Sequence, residues 1–328
     1  MTTMRRSTAS SRLSSNSAIT KRRDELERAT LFAVWSQWRA IGASVNATPA
    51  TMIVDPEALI LMSLFAEDRE PRLRDILYAW IERNAALLSV RRLRTLADMY
   101  PPSVTERLGE FAPVAARLAK HPRWAALTGD RDHQESPMEH FTTARATEPA
   151  LEAPPALMLR MRAALGVGAK ADVLTYLLGQ VARSRPDSTT VRAIAKATRY
   201  TTVATRSALQ DLTSARFILG SDERPMTFVA PQHSWEGLLD IAFAKLPRWW
   251  PWNQIYALAC EYLDWTSRRT REVSDSVLRI REEEMVDTYP AVKQLVSDFP
   301  ASSTAYSPGT TPGPVEVLTA WMRTPGAI

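Results

Sequence analysis

The sequence AKADVLTYLLGQVARSRPDSTTVRAIAKATRYTTVATRSALQDLTSARFILGSDERPMTFVA, residues 169–230, decides the fold of this chain. Its first part has four apolar residues between Val173 and Leu178 at helical spacing, which predicts a helix over 169–181. A polar segment containing Pro186 follows, and a proline there bars continuation of the helix.

Two further helices are predicted in the same stretch. The second begins after Thr189 or Thr190, either of which can cap it. The third begins at Thr201 or Thr202 and runs to about Ala215. We expect its inward face to consist of Val203, Ala208, Leu209 and Leu212. We expect its outward face to consist of Thr202, Thr205, Arg206, Gln210 and Asp211.

A β-hairpin is predicted after the third helix. Two short apolar runs, 217–219 and 226–229, flank a turn of Gly, Asp and Pro residues over 220–225. Such a pattern is typical of two antiparallel strands.

Three helices followed by a hairpin resemble the winged helix-turn-helix DNA-binding domains of bacterial transcription regulators. The resemblance rests on Val191–Ala195, Thr201–Leu212 and Ala215–Ile218 and is confined to residues 169–230. It points to no single family. Such domains usually have glycine just before the first strand of the wing, where this chain has Arg216. The third helix is therefore expected to end without a left-handed glycine cap.

The resemblance implies that the third helix enters the major groove of DNA, where small, polar and cationic side chains can reach base edges. Arg206 is the candidate for guanine, and Gln210 is the candidate for adenine. The other candidate DNA contacts are Thr201, Thr202 and Thr205 on the third helix, Arg192, Lys196 and Arg199 on the second helix and turn, and Arg224 at the hairpin tip.

The distribution of charge favours the same function. Residues 156–230 contain 11 Lys and Arg against 5 Asp and Glu, and residues 1–23 contain 6 basic residues and no acidic one. The whole chain is only +5, so the remainder is acidic. This concentration of positive charge is typical of a nucleic-acid-binding module. The alternative is a protein-interaction module whose basic residues are merely solvated, and whose acidic remainder binds a basic partner.

The rest of the chain indicates a mainly α protein. We expect a disordered basic arm (1–20), a helical domain (21–128), a linker (129–153), the winged helix (154–231), C-terminal helices (232–298) and a flexible tail with a short helix (299–328). A charged helix over about 267–286 has a narrow apolar stripe, which suits dimerisation or packing against the chain's own N-terminal domain. Three tryptophans within 247–253 are expected to pack in the core or at an interface between domains.

Other function classes find little support in the sequence. It contains no apolar run long enough to cross a membrane and no secretory signal. Its single cysteine, Cys260, fits a reducing cytoplasm. No phosphate loop, dinucleotide fingerprint or hydrolase motif is present. His133 and His140 lack the spacing of a zinc site.

The sequence therefore predicts a cytoplasmic, homodimeric bacterial transcription regulator that binds double-stranded DNA and uses no metal or cofactor. It is not expected to be an enzyme. The alternative function is that of an antitoxin-like protein, which neutralises a partner protein and represses its own operon.

Overall fold

A computed structural model describes residues 4–120, 123–124, 148–180, 189–241, 246–269, 274–298 and 312–323, apart from the side chains of 4–18 and 232–233. Within these ranges the chain is mainly helical with one small two-stranded antiparallel sheet, which confirms the predicted mainly α class. The helices are α1 Met4–Ala40, α2 Pro56–Ala66, α3 Arg72–Asn84, α4 Val90–Ala97, α5 Pro102–Ala119, α6 Leu157–Leu165, α7 Ala169–Gln180, α8 Val191–Thr198, α9 Thr202–Ser214, α10 Gln232–Leu239, α11 Trp252–Ser267, α12 Asp275–Thr288, α13 Pro290–Ser297 and α14 Pro314–Arg323. The strands are β1 Leu219–Gly220 and β2 Phe228–Val229.

The chain divides into two compact units. The central unit is Trp35–Asn253, and the terminal unit combines Met1–Val34 with Gln254–Ile328. The predicted helical domain (21–128) and winged helix (154–231) were expected to be separate, yet nearly all of both lies in the central unit. Most of the predicted linker between them, 129–147, lies outside the described residues.

α1 is continuous from Met4 and includes most of residues 1–20, the segment for which a disordered arm was predicted. A helix that is already held by a buried segment, here from Leu26 onward, can extend toward the N-terminus without a new and costly nucleus. The Ser and Thr residues that suggested disorder lower helix propensity only modestly.

The central unit is built on α2, whose eleven residues are all buried. The Asp55 side chain caps this helix by accepting a hydrogen bond from the Ala58 N–H at 3.2 Å, and Pro56 occupies the first helical position. α3, α4 and α5 all contact α2. Together these helices form the N-terminal part of the unit.

The helices of residues 169–214 form as predicted. Thr190 caps α8, and Thr201 caps α9 through the Ala204 N–H. α7 contacts both α8 and α9, and their shared core contains Leu174, Leu177, Ile194, Leu209 and Leu212.

The predicted hairpin is also present. β1 and β2 pair with Leu219 opposite Val229 and Gly220 opposite Phe228. A further antiparallel bridge joins Thr227 to Thr190, and so connects the hairpin to the start of α8. Phe228 is buried in the core of these three helices.

The end of α9 differs from expectation. Arg216 itself adopts the left-handed conformation, with φ of 58°. Its N–H donates to the Thr213 carbonyl, and the Phe217 N–H donates to the Leu212 carbonyl, both at 2.9 Å. This is the Schellman pattern that glycine normally provides. The hydrogen bonds hold an arginine in a conformation that is unfavourable for residues with a Cβ.

The tryptophan-rich segment packs as predicted. Trp249, Trp250 and Trp252 are all buried. The Trp249 N–H donates to the Gly179 carbonyl at 3.0 Å, and its ring meets Tyr176 edge-on at 5.3 Å. A side chain at Gly179 would collide with the Trp249 backbone, so glycine allows this close approach.

The terminal unit contains α12 to α14 and most of α11. The short helix predicted within residues 299–328 is α14, in which Val315, Leu318 and Trp321 are buried and which contacts α12 and α13. On α12, Val277 and Ile280 are about half exposed (49% and 56%).

Glu282 on α12 is fully buried. It lies at helical spacing from two other buried residues, Leu278 and Met285. The Tyr262 hydroxyl donates to its Oε1 at 3.2 Å, and Arg22 lies 3.6 Å from the same oxygen.

Candidate nucleic-acid interface

The exposed face of α9 is the most prominent feature of the proposed module. Val203, Arg206 and Gln210 lie at i, i+3 and i+7, and all three are exposed. Thr201 and Thr202 at the start of the helix are also exposed. This face therefore combines a cation, an amide, two hydroxyls and one apolar side chain.

Two residues of α9 face the opposite way from expectation. Val203 was predicted to be inward, but it is 73% exposed. Thr205 was predicted to be outward, but it is fully buried, at helical spacing from Ala208, Leu209 and Leu212. The chemical type of these residues suggested the wrong face, whereas the spacing of the apolar residues gives the correct one. Thr205 is therefore not available to read a base.

The hydroxyl of Thr205 has a further peculiarity. Among the described residues no hydrogen-bond partner lies within reach of its Oγ1. A buried hydroxyl without a partner is unfavourable.

Two residues of α8 that were predicted to contact the DNA backbone lie on the surface of the protein. Arg192 and Lys196 are exposed. Arg199 is only half-buried and ends α8 in the left-handed conformation, with φ of 62°. Burial, and secondarily the nearby charge of Arg92, lower the pKa of the Arg199 guanidinium.

The hairpin presents mixed chemistry. Arg224 is exposed in the turn between the strands. Leu219 and Val229 face each other across the strands and are 54% and 52% exposed, and Met226 is similarly exposed. The hairpin therefore offers one predicted cationic contact together with an uncovered apolar pair.

Sequence reasoning missed a buried ion network behind this surface. Two arginines and three carboxylates, all almost completely buried, contact one another in the central unit; they are Asp55, Glu57, Arg92, Arg162 and Asp172. Arg92 binds both oxygens of Asp55 at 2.6 Å and one oxygen of Glu57 at 2.6 Å. Arg162 binds Glu57 at 2.6 and 2.9 Å and Asp172 at 2.7 and 2.8 Å.

Glu57 is the centre of this network. Burial by itself raises the pKa of its carboxyl group, but the charges of Arg162 and Arg92 outweigh burial and hold that pKa at about 2. The Ser89 N–H adds a hydrogen bond to Glu57 at 2.7 Å. The glutamate is therefore ionised at any ordinary pH.

The network also reaches the turn between α8 and α9. The Tyr200 hydroxyl donates to Asp172 Oδ2 at 2.9 Å, and Arg92 Nε donates to the Thr198 carbonyl at 3.1 Å. Arg162 is one of the 11 basic residues of 156–230, but its charge is neutralised in the interior by Glu57 and Asp172. Its partner Glu57 lies 105 residues away along the chain, and its partner Asp172 lies 10 residues away on the next helix.

The N-terminal basic residues are also partly engaged within the terminal unit. Arg22 pairs with Glu316 at 2.9 Å, and Arg23 pairs with Asp24 at 2.9 Å. The side chains of Arg5, Arg6 and Arg12 lie outside the described part of the chain. His133 and His140 likewise fall outside the described residues.

None of the described helices has both the length and the apolar composition required to cross a membrane. The chain matches no family model, no curated protein and no solved structure.

Proposed function

We propose that this chain is a sequence-specific DNA-binding transcription regulator in which residues 154–231 act as a winged helix-turn-helix. The observation that carries the proposal is the uncovered face of α9. Val203 is 73% exposed, and the exposed Arg206 and Gln210 lie along the same side. A guanidinium pairs with guanine, an amide with adenine, and a valine methyl group can contact the methyl group of thymine.

The surroundings of α9 support this use. Arg192 and Lys196 on α8 and Arg224 on the hairpin are exposed cations that could contact phosphates on either side of a groove. Behind the helix, Arg92 and Tyr200 tie the turn to a buried network. A rigid support of this kind suits a helix that must present side chains to base edges in one orientation.

The test begins with purified full-length protein and fragmented genomic DNA of its source organism. Fragments that the protein retains are sequenced, and the most enriched one is labelled for fluorescence anisotropy. We expect a dissociation constant in the nanomolar range, on the order of 10 nM, and a steep loss of affinity with salt. The upstream region of the protein's own gene is tested in parallel.

A matched pair of variants makes this test specific. Arg206→Ala removes an arginine from the exposed face of α9, and Arg39→Ala removes an exposed arginine from α1 in the same unit. Only the first should impair selection of the enriched fragment. If no fragment is enriched above the bare matrix, or if both variants behave alike, the proposal is wrong.

One observation favours a second candidate function, that of an antitoxin-like protein-binding module. Leu219 and Val229 form an apolar pair on the exposed hairpin, which suits a protein partner better than a phosphate backbone. Purification from the native host should then recover a stoichiometric partner. Leu219→Ser with Val229→Ser should release it, whereas Arg206→Ala should not.

The regulator is proposed to act as a homodimer. Val277 and Ile280, one turn apart on α12, are exposed apolar residues that a second copy could cover. Sedimentation of the full chain should give a dimer, and replacement of both residues by lysine should give a monomer. A wild-type monomer at micromolar concentration would contradict this part of the proposal.

A further inference from the structure

A pocket of about 450 Å³ lies beside the first turn of α9, within the central unit. We call it the arginine pocket. Its lining includes Arg91, Arg94, Arg123, Ala169, Tyr200 and Ala204.

The lining of the arginine pocket is cationic. Arg91, Arg94 and Arg123 all line it, and none of the described residues along its walls is acidic. Several guanidiniums around one space are suited to a phosphate group, because each can donate two parallel hydrogen bonds to it.

The size and the walls of the pocket indicate more than a bare anion. Leu88, Val90, Val167 and Ala169 give it apolar surface, and Tyr200 adds an aromatic ring. Its volume falls in the usual range of small-molecule sites, which are mostly apolar with a few polar groups that fix orientation. A single backbone phosphate of DNA would leave most of this space unused.

The position of the pocket connects it to α9. Arg91 and Arg94 come from α4, whereas Ala169, Tyr200 and Ala204 belong to the proposed DNA-binding module. Tyr200 directly precedes Thr201, the residue that caps α9. A molecule in the pocket would contact both α4 and the proposed DNA-binding module. It would therefore favour the orientation of α9 in which both contacts are made.

We propose that the arginine pocket binds a small phosphorylated organic molecule, such as a nucleotide or a sugar phosphate, and that its occupancy changes the affinity for DNA. The effect on DNA rests on the proposed function above. The binding site itself does not depend on it.

The first experiment measures binding without DNA. Adenosine monophosphate, glucose 6-phosphate and inorganic pyrophosphate are titrated into the full chain by calorimetry, with adenosine and glucose as uncharged counterparts. Adenosine monophosphate or glucose 6-phosphate should bind at one site per chain with a dissociation constant below about 1 mM, and binding of pyrophosphate alone would overturn the inference. The uncharged counterparts should not bind.

Paired variants locate the site. Arg91→Ser with Arg94→Ser should weaken binding of that probe by about tenfold or more, and Arg39→Ser should leave it unchanged. Arg91 and Arg94 are exposed, so the variant should fold; circular dichroism checks this, and Arg91→Ser alone replaces the pair if it does not. The probe should also change the affinity of the wild-type protein for its enriched DNA fragment by about fivefold or more.

The outcomes separate this inference from the proposed function. If no probe binds, or if the arginine variants bind as the wild type does, the arginine pocket is not such a site. Loss of DNA affinity in the variants without any probe binding would show a backbone contact instead, and would also overturn the inference. Probe binding that the variants abolish, in a protein that binds no DNA, would uphold the site and reject the DNA-binding proposal.

Discussion

The Nε of Arg92 donates a hydrogen bond to the main-chain carbonyl of Thr198 at 3.1 Å. Arg92 lies on α4 among the N-terminal helices, and Thr198 is the last residue of α8. A fully buried guanidinium therefore holds the turn that leads into α9, at the same time as it binds two carboxylates. The turn before the proposed DNA-reading helix is thus hydrogen-bonded to a residue 106 positions away in the chain.

Replacement of Arg92 by methionine should strongly destabilise the central unit. The change leaves Asp55 without its bidentate partner and Glu57 with one arginine instead of two, and loss of one partner from a buried pair costs about 3–5 kcal/mol. Urea denaturation measures the effect. Arg91→Met at the exposed neighbouring position is the control, with an expected change within about 0.5 kcal/mol. Equal stability of the two variants would show that the network contributes nothing.

Thr205→Val should stabilise the protein by about 1 kcal/mol, because it replaces a buried hydroxyl that lacks a partner with a methyl group of similar size. DNA affinity should stay within about twofold, since this side chain does not reach the surface. Thr202→Val, at an exposed position on the same helix, should leave stability unchanged. A large loss of DNA binding in Thr205→Val alone would contradict the observed face of α9.

Arg216→Gly should raise the unfolding free energy by about 1 kcal/mol, since glycine adopts the left-handed conformation without the steric penalty of a Cβ. Arg216→Ala removes the same charged group but retains the Cβ, and so should not be stabilising. Thermal denaturation of the three proteins distinguishes the cap from the side chain. Equal gains in both variants would point to the arginine side chain as the cause.

The two cations of the proposed interface should behave differently in DNA binding. Arg206→Ala should lose about 1–3 kcal/mol of discrimination at the base that the arginine reads. Lys196→Ala should weaken all sequences alike and reduce the slope of log affinity against log salt by about 1. Anisotropy titrations with single-base variants of the enriched fragment, at several salt concentrations, provide both measurements. Identical profiles for the two variants would remove the assignment of Arg206 to base reading.

The terminal unit should lose stability as pH rises toward neutrality. Burial raises the pKa of Glu282 from its usual 4.5 to about 7. The folded protein therefore keeps this proton at pH values where the unfolded chain has released it. Between these two pKa values the unfolding free energy falls with rising pH, by about 3 kcal/mol in total.

Hydrogen exchange of the α12 amides, corrected for the intrinsic effect of pH, should report this loss. Glu282→Gln should abolish the dependence because the amide does not titrate. Glu283→Gln, at the exposed neighbouring residue, should retain it. A slope that survives Glu282→Gln would assign the effect to another group.

Several parts of this structure follow from the sequence by itself. Local signals narrowed each cap to two adjacent threonines, of which the structure uses Thr190 and Thr201, and the apolar spacing of residues 169–214 placed the helices that they begin. The Gly and Pro residues after the third helix indicated the hairpin. These features depend on interactions between residues close together in the chain, which a linear pattern records. The spacing of the apolar residues also indicated that Val203 is exposed and that Thr205 is buried. The chemical type of these two residues suggested the opposite faces.

Only the tertiary structure determined which charged side chains are buried. Glu57, Arg92 and Arg162 have the appearance of solvated residues in a linear sequence, because an isolated charge is too costly to bury. Their burial becomes possible when helices far apart in the chain bring opposite charges within 2.6 Å of one another. The same long-range packing assembles the arginine pocket, whose walls come from α4, α7 and α9. No local pattern contains that information, since it arises from how distant helices fit together.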